Sequence, residues 1–351
     1  MNKYLKKSLA IALAACLLAV SFSFMTSAMS INMGTDALRT LWSRGNGPMV
    51  NDWDIDYSYY SPVENGADNS KKYPLVVIMA GALEGLTEGF ELTANSLATW
   101  TAEEYQSRFT NGGAFLLIGR APEEDELYWD SAKIMPSFKA AIDDFVSKNP
   151  NVDTDKIYIV GWCLGGTGAI NLMTLYPDFF AASIIMCPSR ALTMGEASIL
   201  KDKPVWLMGC KLDTYVNYSS VILPSWINLK TKSNRKSDLR FTTSMNAPGV
   251  SMADLFPFIL NHNMWENVAY DMHFTGYGYY KIKSYDGNGK KLDDPYAISW
   301  LTSFSLEEAD TSGEHPSRIL RFFKEDLVDT IRSKLLLAVI QMIAQIGLLK
   351  Q

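Results

Sequence analysis

Short apolar runs recur along the middle of the chain. The first, residues 73–80 (Tyr-Pro-Leu-Val-Val-Ile-Met-Ala), has no charged position and ends at Gly81. A run without polar alternation reads as a strand buried on both faces, the pattern of a parallel sheet. Residues 114–119, 156–160 after Lys156, 181–186 and 204–209 repeat it, and the more polar 239–244 read as a sixth strand. Residues 54–63 differ: they alternate and are rich in tyrosine, which suits an antiparallel edge strand. Residues 64–72 are polar, with Asn65-Gly66 as a turn signal. Helical spacing lies between the runs. Residues 137–148 place Phe138, Ala141, Ile142 and Phe145 on one face, and residues 166–176 follow the third run directly. Strands alternating with helices predict an α/β fold, a mostly parallel central sheet flanked by helices. Chemistry in such a sheet collects at the carboxyl ends of its strands.

The two ends of the chain follow other patterns. Lys3, Lys6 and Lys7 precede an apolar stretch from Ser8 to Met25, and Thr26-Ser27-Ala28 supplies small residues. That order predicts a cleaved export signal over 1–28 and a secreted or cell-surface protein. Two other readings stay open: a lipoprotein signal ending at Cys16, and an uncleaved anchor. Residues 29–317 form the predicted α/β domain, its first part covering the domain edge. Residues 318–351 carry an amphipathic helical pattern, with no charge between 335 and 349. At 1.5 Å per residue a helix there reaches about 22 Å, short of a bilayer core of roughly 30 Å. The pattern fits a helix packed on the domain or on a second copy, or one making peripheral membrane contact.

Composition narrows the partners. The chain has 351 residues, 48% hydrophobic and 20% charged, enough for a sizeable core. Its formal net charge of -6 becomes -9 once Lys3, Lys6 and Lys7 are set aside, which argues against nucleic acid as a partner. Four cysteines, Cys16, Cys163, Cys187 and Cys210, exclude a dense disulfide framework. Cys187 and Cys210 read as buried free thiols at strand ends, with a single bridge between them as the alternative. Cysteine and histidine are not at zinc-ligand spacing and no phosphate loop is present, so neither metal nor cofactor is implied.

The chemistry centres on Gly161-Trp162-Cys163-Leu164-Gly165-Gly166, between a strand and a helix. A nucleophile on a sharp strand-to-helix turn needs glycine two before and two after, because backbone segments crowd there. The turn lifts the side chain clear of the sheet and aims a helix N-terminus at it. Histidine is limited to His262, His273 and His315, all after Cys163. His315 precedes Pro316 in a polar stretch and reads as surface. His262, after the last predicted strand, is the preferred base, with His273 as its competitor. Asp213 lies just past the run at 204–209, where an acid would orient the imidazole. About 50 residues separate Cys163 from Asp213 and Asp213 from His262, room for a strand–helix–strand unit each time. The Leu164 N–H, with Ala82 in the loop after the first buried run, would bind an oxyanion. Tyr128, Trp129 and Trp162 read as an aromatic substrate wall or as core. The acidic run Glu123 to Glu126 reads as a solvated loop, with pocket lining or cation binding as the alternative.

Taken together these segments resemble the secreted esterase branch of the α/β-hydrolase superfamily. This is the feruloyl esterase and polyhydroxybutyrate depolymerase-like group, with related prolyl oligopeptidase-like hydrolases. The resemblance covers roughly residues 54–305. It rests on residues 72–77, on 153–158 leading into the turn, on 176–182, on 204–213, and on 262–270. The last string looks like that group's catalytic histidine followed by x-x-Trp, which favours His262. Three departures stand out. Cys163 replaces the usual serine, as in dienelactone hydrolases and polyhydroxyalkanoate synthases. Ala80 replaces a loop histidine, and residues 246–260 look inserted. The resemblance implies an α/β-hydrolase fold and hydrolysis of small-molecule or polymer-derived carboxylic esters, thioesters or lactones through an acyl-cysteine. Acyl transfer of the polyhydroxyalkanoate-synthase type, and a non-catalytic surface binding role, are the alternatives.

Overall fold

The structure, a computed structural model, describes residues 36–81, 97–121, 129, 131–245, 262, 264, 268, 283–292 and 296–306. The export signal, Ala82, the acidic run, Tyr128, the 246–260 segment, His273, His315 and the 318–351 helix lie outside these residues.

The apolar runs become strands of one sheet. In chain order they are β1 (Ser43–Asn46), β2 (Asp56–Tyr60), β3 (Tyr73–Met79), β4 (Phe115–Gly119), β5 (Val152–Trp162), β6 (Ala182–Met186), β7 (Val205–Cys210), β8 (Arg240–Ser244), β9 (Lys283–Asp286) and β10 (Lys291–Leu292). Their spatial order is β1-β2-β4-β3-β5-β6-β7-β8-β9-β10. The stretch from β4 to β8 is parallel throughout. β2 joins β4 antiparallel, as its tyrosine-rich alternation predicts, and β1 extends that edge. β9 and β10 add an antiparallel hairpin to the other edge. The predicted α/β-hydrolase architecture is therefore the observed one.

Successive side chains of a strand point to opposite faces, and both faces are covered here. Leu75, Val77 and Met79 of β3 pack on one side with Phe138, Ala141 and Phe145 of helix α1 (Met135–Lys148). Val76 and Ile78 pack on the other with Trp100, Tyr158 and Trp300. Helix α2 (Leu164–Leu175) leaves β5 and buries Ala169, Ile170, Leu172 and Met173 in the first core. It starts two residues earlier than the 166–176 periodicity predicts, because the turn takes Cys163 alone. Helices α3 (Met194–Ile199) and α4 (Leu223–Lys232) follow β6 and β7. Thr193 caps α3 reciprocally with Glu196. Among the described residues no helix is long and apolar enough to cross a membrane.

The first turn of α2 lies against the end of β3, and glycine makes this approach feasible. A Cβ on Gly165 would sit 2.0 Å from the Met79 carbonyl oxygen, and one on Gly161 would sit 2.3 Å from that of Gly165. Both obstacles are backbone, so neither can rotate away. Gly165→Ala is expected to destabilise the fold by about 3 kcal/mol, read as a lower urea midpoint. An unchanged midpoint would show that β3 and α2 are not held this close.

Candidate active site

β5 ends at Trp162, and Cys163 turns the chain into α2 with φ 56° and ψ -120°. A non-glycine residue with positive φ costs of order 1–3 kcal/mol, so neighbours must hold it. They do so at three points. The Cys163 N–H donates to the Met186 carbonyl at 3.0 Å, and its own carbonyl accepts from Thr167 at 3.2 Å and Ser189 at 3.3 Å. The Thr167 and Ser189 hydroxyls are themselves 2.8 Å apart. The elbow is thus tied to the carboxyl end of β6. Leu164 is the first helical residue, so its N–H has no acceptor within the helix. Its predicted partner donor, Ala82, lies outside the described residues.

The structure brings Asp213 and His262 together, 49 residues apart in sequence, with Oδ2 2.7 Å from Nδ1. The Asp213 side chain is fully buried and that of His262 is 11% exposed. The other carboxylate oxygen of Asp213 accepts the N–H groups of Tyr215 at 2.8 Å and Val216 at 2.9 Å. One oxygen therefore fixes the loop after β7, and the other is left for the imidazole. His262 Nε2 is buried with no hydrogen-bond partner among the described residues. It is the atom left for a proton transfer.

The sequence leaves Trp162 between a substrate wall and the core. In the structure its indole donates to the His262 carbonyl at 3.0 Å, and the two rings lie 5.4 Å apart. Trp162 thus anchors the segment that carries the histidine. Of the two readings of Trp129, substrate wall or core, the structure favours the core: it is 1% exposed and packs on Phe138 at 4.9 Å. Two residues near the imidazole escaped sequence reasoning. Tyr215 is 72% exposed, with its ring 5.5 Å from that of His262. Cys187, buried at the end of β6, brings its sulfur within 4.8 Å of donor atoms of Asp213 and His262. The signal for Cys187 was its place at the end of the run beside the elbow strand. Cys187 and Cys210 are free buried thiols, and Cys210 donates to the Met245 carbonyl at 3.0 Å.

These surroundings set the charge of the imidazole. Burial works to lower its proton affinity. The Asp213 carboxylate, and after it the Cys163 and Cys187 thiols, reverse that and carry the pKa up to about 12. The same burial pushes the Cys187 thiol up to about 11, so it stays protonated at neutral pH. Asp213, His262 and Cys187 also offer three metal-type donors. However, Oδ2 and Nδ1 are already committed to each other, which suits proton transfer better than chelation.

Two expectations follow from the strain and the charge. Cys163→Gly should be more stable than Cys163→Ala by about 1 kcal/mol, since only glycine relieves the positive φ; equal urea midpoints would remove the strain argument. An imidazole raised above its unfolded value stabilises the fold fully below about pH 6.5. That contribution is lost as pH rises toward the folded value. Unfolding free energy should therefore fall between about pH 7 and 9, and fall less steeply in Asp213→Asn. Identical slopes in denaturation series would contradict this.

Comparison with known proteins bears on the fold and on the central part of the chain. Residues 122–234 match the model of the dienelactone hydrolase family. No curated protein matches the sequence. A solved thermostable esterase superposes with a TM-score of 0.58 at 19% identity, covering 77% of this chain and 64% of that one. An acylaminoacyl peptidase of Pyrococcus horikoshii aligns at 15% identity and a TM-score of 0.46, over 65% of this chain and 40% of that one. The chain thus spans less than two thirds of the length of either. In fold the chain is an α/β-hydrolase, and its central part, from the loop before α1 through α4, is similar to the dienelactone hydrolase family.

Proposed function

We propose that the protein hydrolyses carboxylic esters, thioesters or lactones through an acyl-cysteine on Cys163. One observation carries this reading: a buried Asp213–His262 pair at 2.7 Å, its Nε2 unpartnered, whose imidazole feels the thiol of a strained elbow cysteine. The match of residues 122–234 to the dienelactone hydrolase family supports it.

The steps are acyl transfer to sulfur and then to water. As the Cys163 sulfur attacks, His262 holds the thiol proton and Asp213 compensates the imidazole charge. The sulfur attacks the carbonyl carbon, and the developing oxyanion meets the Leu164 N–H at the start of α2. His262 Nε2 then gives its proton to the departing alkoxide, leaving a thioester on Cys163. Water loses a proton to the same nitrogen, attacks the thioester and releases the acid. The exposed Tyr215 ring beside His262 offers an apolar surface to the departing alcohol. The basic, apolar and small-residue order of residues 1–28 supports a site of action outside the cytoplasm.

Short p-nitrophenyl esters and a small lactone test the proposal. Turnover should fall about a thousandfold or more in Cys163→Ala, and by a similar factor in Asp213→Asn. Wild-type turnover in Cys163→Ala would sink the reading.

A further inference from the structure

A second cysteine lies beside the proposed nucleophile, and the hydrolytic steps leave it unused. β5 and β6 pair in parallel, with Trp162 opposite Met186. Cys163 and Cys187 are the residues that follow this pair. Each leaves the sheet in the same unusual way, with φ 56° at Cys163 and 42° at Cys187. Each is also tied to the neighbouring strand, Cys163 N–H to the Met186 carbonyl and Cys187 N–H to the Met208 carbonyl, both at 3.0 Å. Strands in a ladder run about 4.8 Å apart, and each cysteine follows directly on the last pair of that ladder; that spacing is near the roughly 4.4–6.8 Å between Cα atoms that a disulfide spans. Both thiols act on the one His262 imidazole. The Cys187 sulfur lies within 4.8 Å of donor atoms of His262 and Asp213.

We propose that Cys187 is a resolving thiol for Cys163, so that hydroperoxides convert the pair reversibly into a Cys163–Cys187 disulfide. Cys163 is partly exposed and Cys187 is buried, so the oxidant reaches Cys163 first. The Cys163 sulfur attacks the outer peroxide oxygen and the O–O bond breaks. The alcohol or water leaves with the proton from His262, and Cys163 is now a sulfenic acid. The Cys187 thiol next gives its proton to the vacated His262 nitrogen. Its sulfur attacks the Cys163 sulfur, the S–O bond breaks, and hydroxide departs with that proton as water. In sum, two thiols and one hydroperoxide give one disulfide, one alcohol and one water. A buried thiol is ordinarily inert. Here the base that activates the first cysteine also serves the second. The disulfide withdraws the nucleophile and guards it from irreversible oxidation until a small thiol reduces it.

This requires a reactive Cys163 but not the cleavage of any ester, so crosslink mapping and ester turnover fail separately. The test treats full-length protein with hydrogen peroxide, blocks free thiols and digests it. Trypsin leaves both cysteines on residues 157–190, and cleavage before Asp178 divides them unless they are bonded. The expected result is a linked pair of fragments, a loss of two hydrogens per chain, and return of both thiols with dithiothreitol. In Cys187→Ala, Cys163 should pass to the sulfinic and sulfonic acids, and thiol treatment should restore none of it. If that variant fails to fold, the wild-type map alone decides. A Cys187–Cys210 link, or an over-oxidised Cys163 without a link in wild type, would overturn the proposal.

Discussion

The Cys163 backbone, at φ 56° and ψ -120°, is the constraint on which the site depends. Such a conformation persists only where its surroundings over-determine it. Here the surroundings are the ends of two strands. The β3 end meets the first turn of α2 so closely that a single Cβ on Gly165 would strike backbone. The β6 end takes the Cys163 N–H, and Ser189 beyond it returns a hydrogen bond to the Cys163 carbonyl. The parallel sheet therefore does more than house a core. Its register fixes where one sulfur stands, and the cost of the turn is offset by contacts that the whole sheet supplies.

The Asp213–His262 pair is positioned by the same logic from the other side. Asp213 leaves β7 and spends one oxygen on its own loop before offering the other to the imidazole. Trp162, the residue just before the elbow, holds the histidine segment by its carbonyl. The elbow and the histidine segment are thus cross-braced, with the last residue of β5 supplying the indole that steadies His262 and leading directly into Cys163. The buried carboxylate raises the proton affinity of the imidazole despite burial, and the proposed acyl transfer draws on that.

Much of this was legible in the sequence because parallel strands are written as unbroken apolar runs. The runs at 73–80, 114–119, 181–186 and 204–209 all fall on observed strands. Missed strands were those the sheet half exposes. β1 reads Ser-Arg-Gly-Asn, and β9 and β10 are short and lysine-bearing; such segments are strands because a neighbour pairs with them, which local pattern does not record. The first residues of β5 were missed for the same reason. Cys163 and Asp213 could be read from position, each sitting just past a strand, whereas His262 lies 18 residues beyond β8 and was chosen by its order in the chain and its flanking residues. Trp129 was left between pocket and core because an aromatic near a loop looks the same in sequence whether it lines a pocket or fills the core. Cys187 and Tyr215 could not be assigned to the site without register, since only the pairing of β5 with β6 and the Asp213 turn bring them to His262.

The central claim is that the elbow sulfur, driven by this Asp213–His262 pair, carries the acyl group. Rapid mixing with p-nitrophenyl acetate, acid quench and peptide mass mapping test it directly. The expected result is one added acetyl group on the fragment bearing Cys163 within the first turnover, formed far more slowly when Asp213 is Asn. Release of p-nitrophenol in a burst with the acetyl group on another residue, or on none, would contradict it.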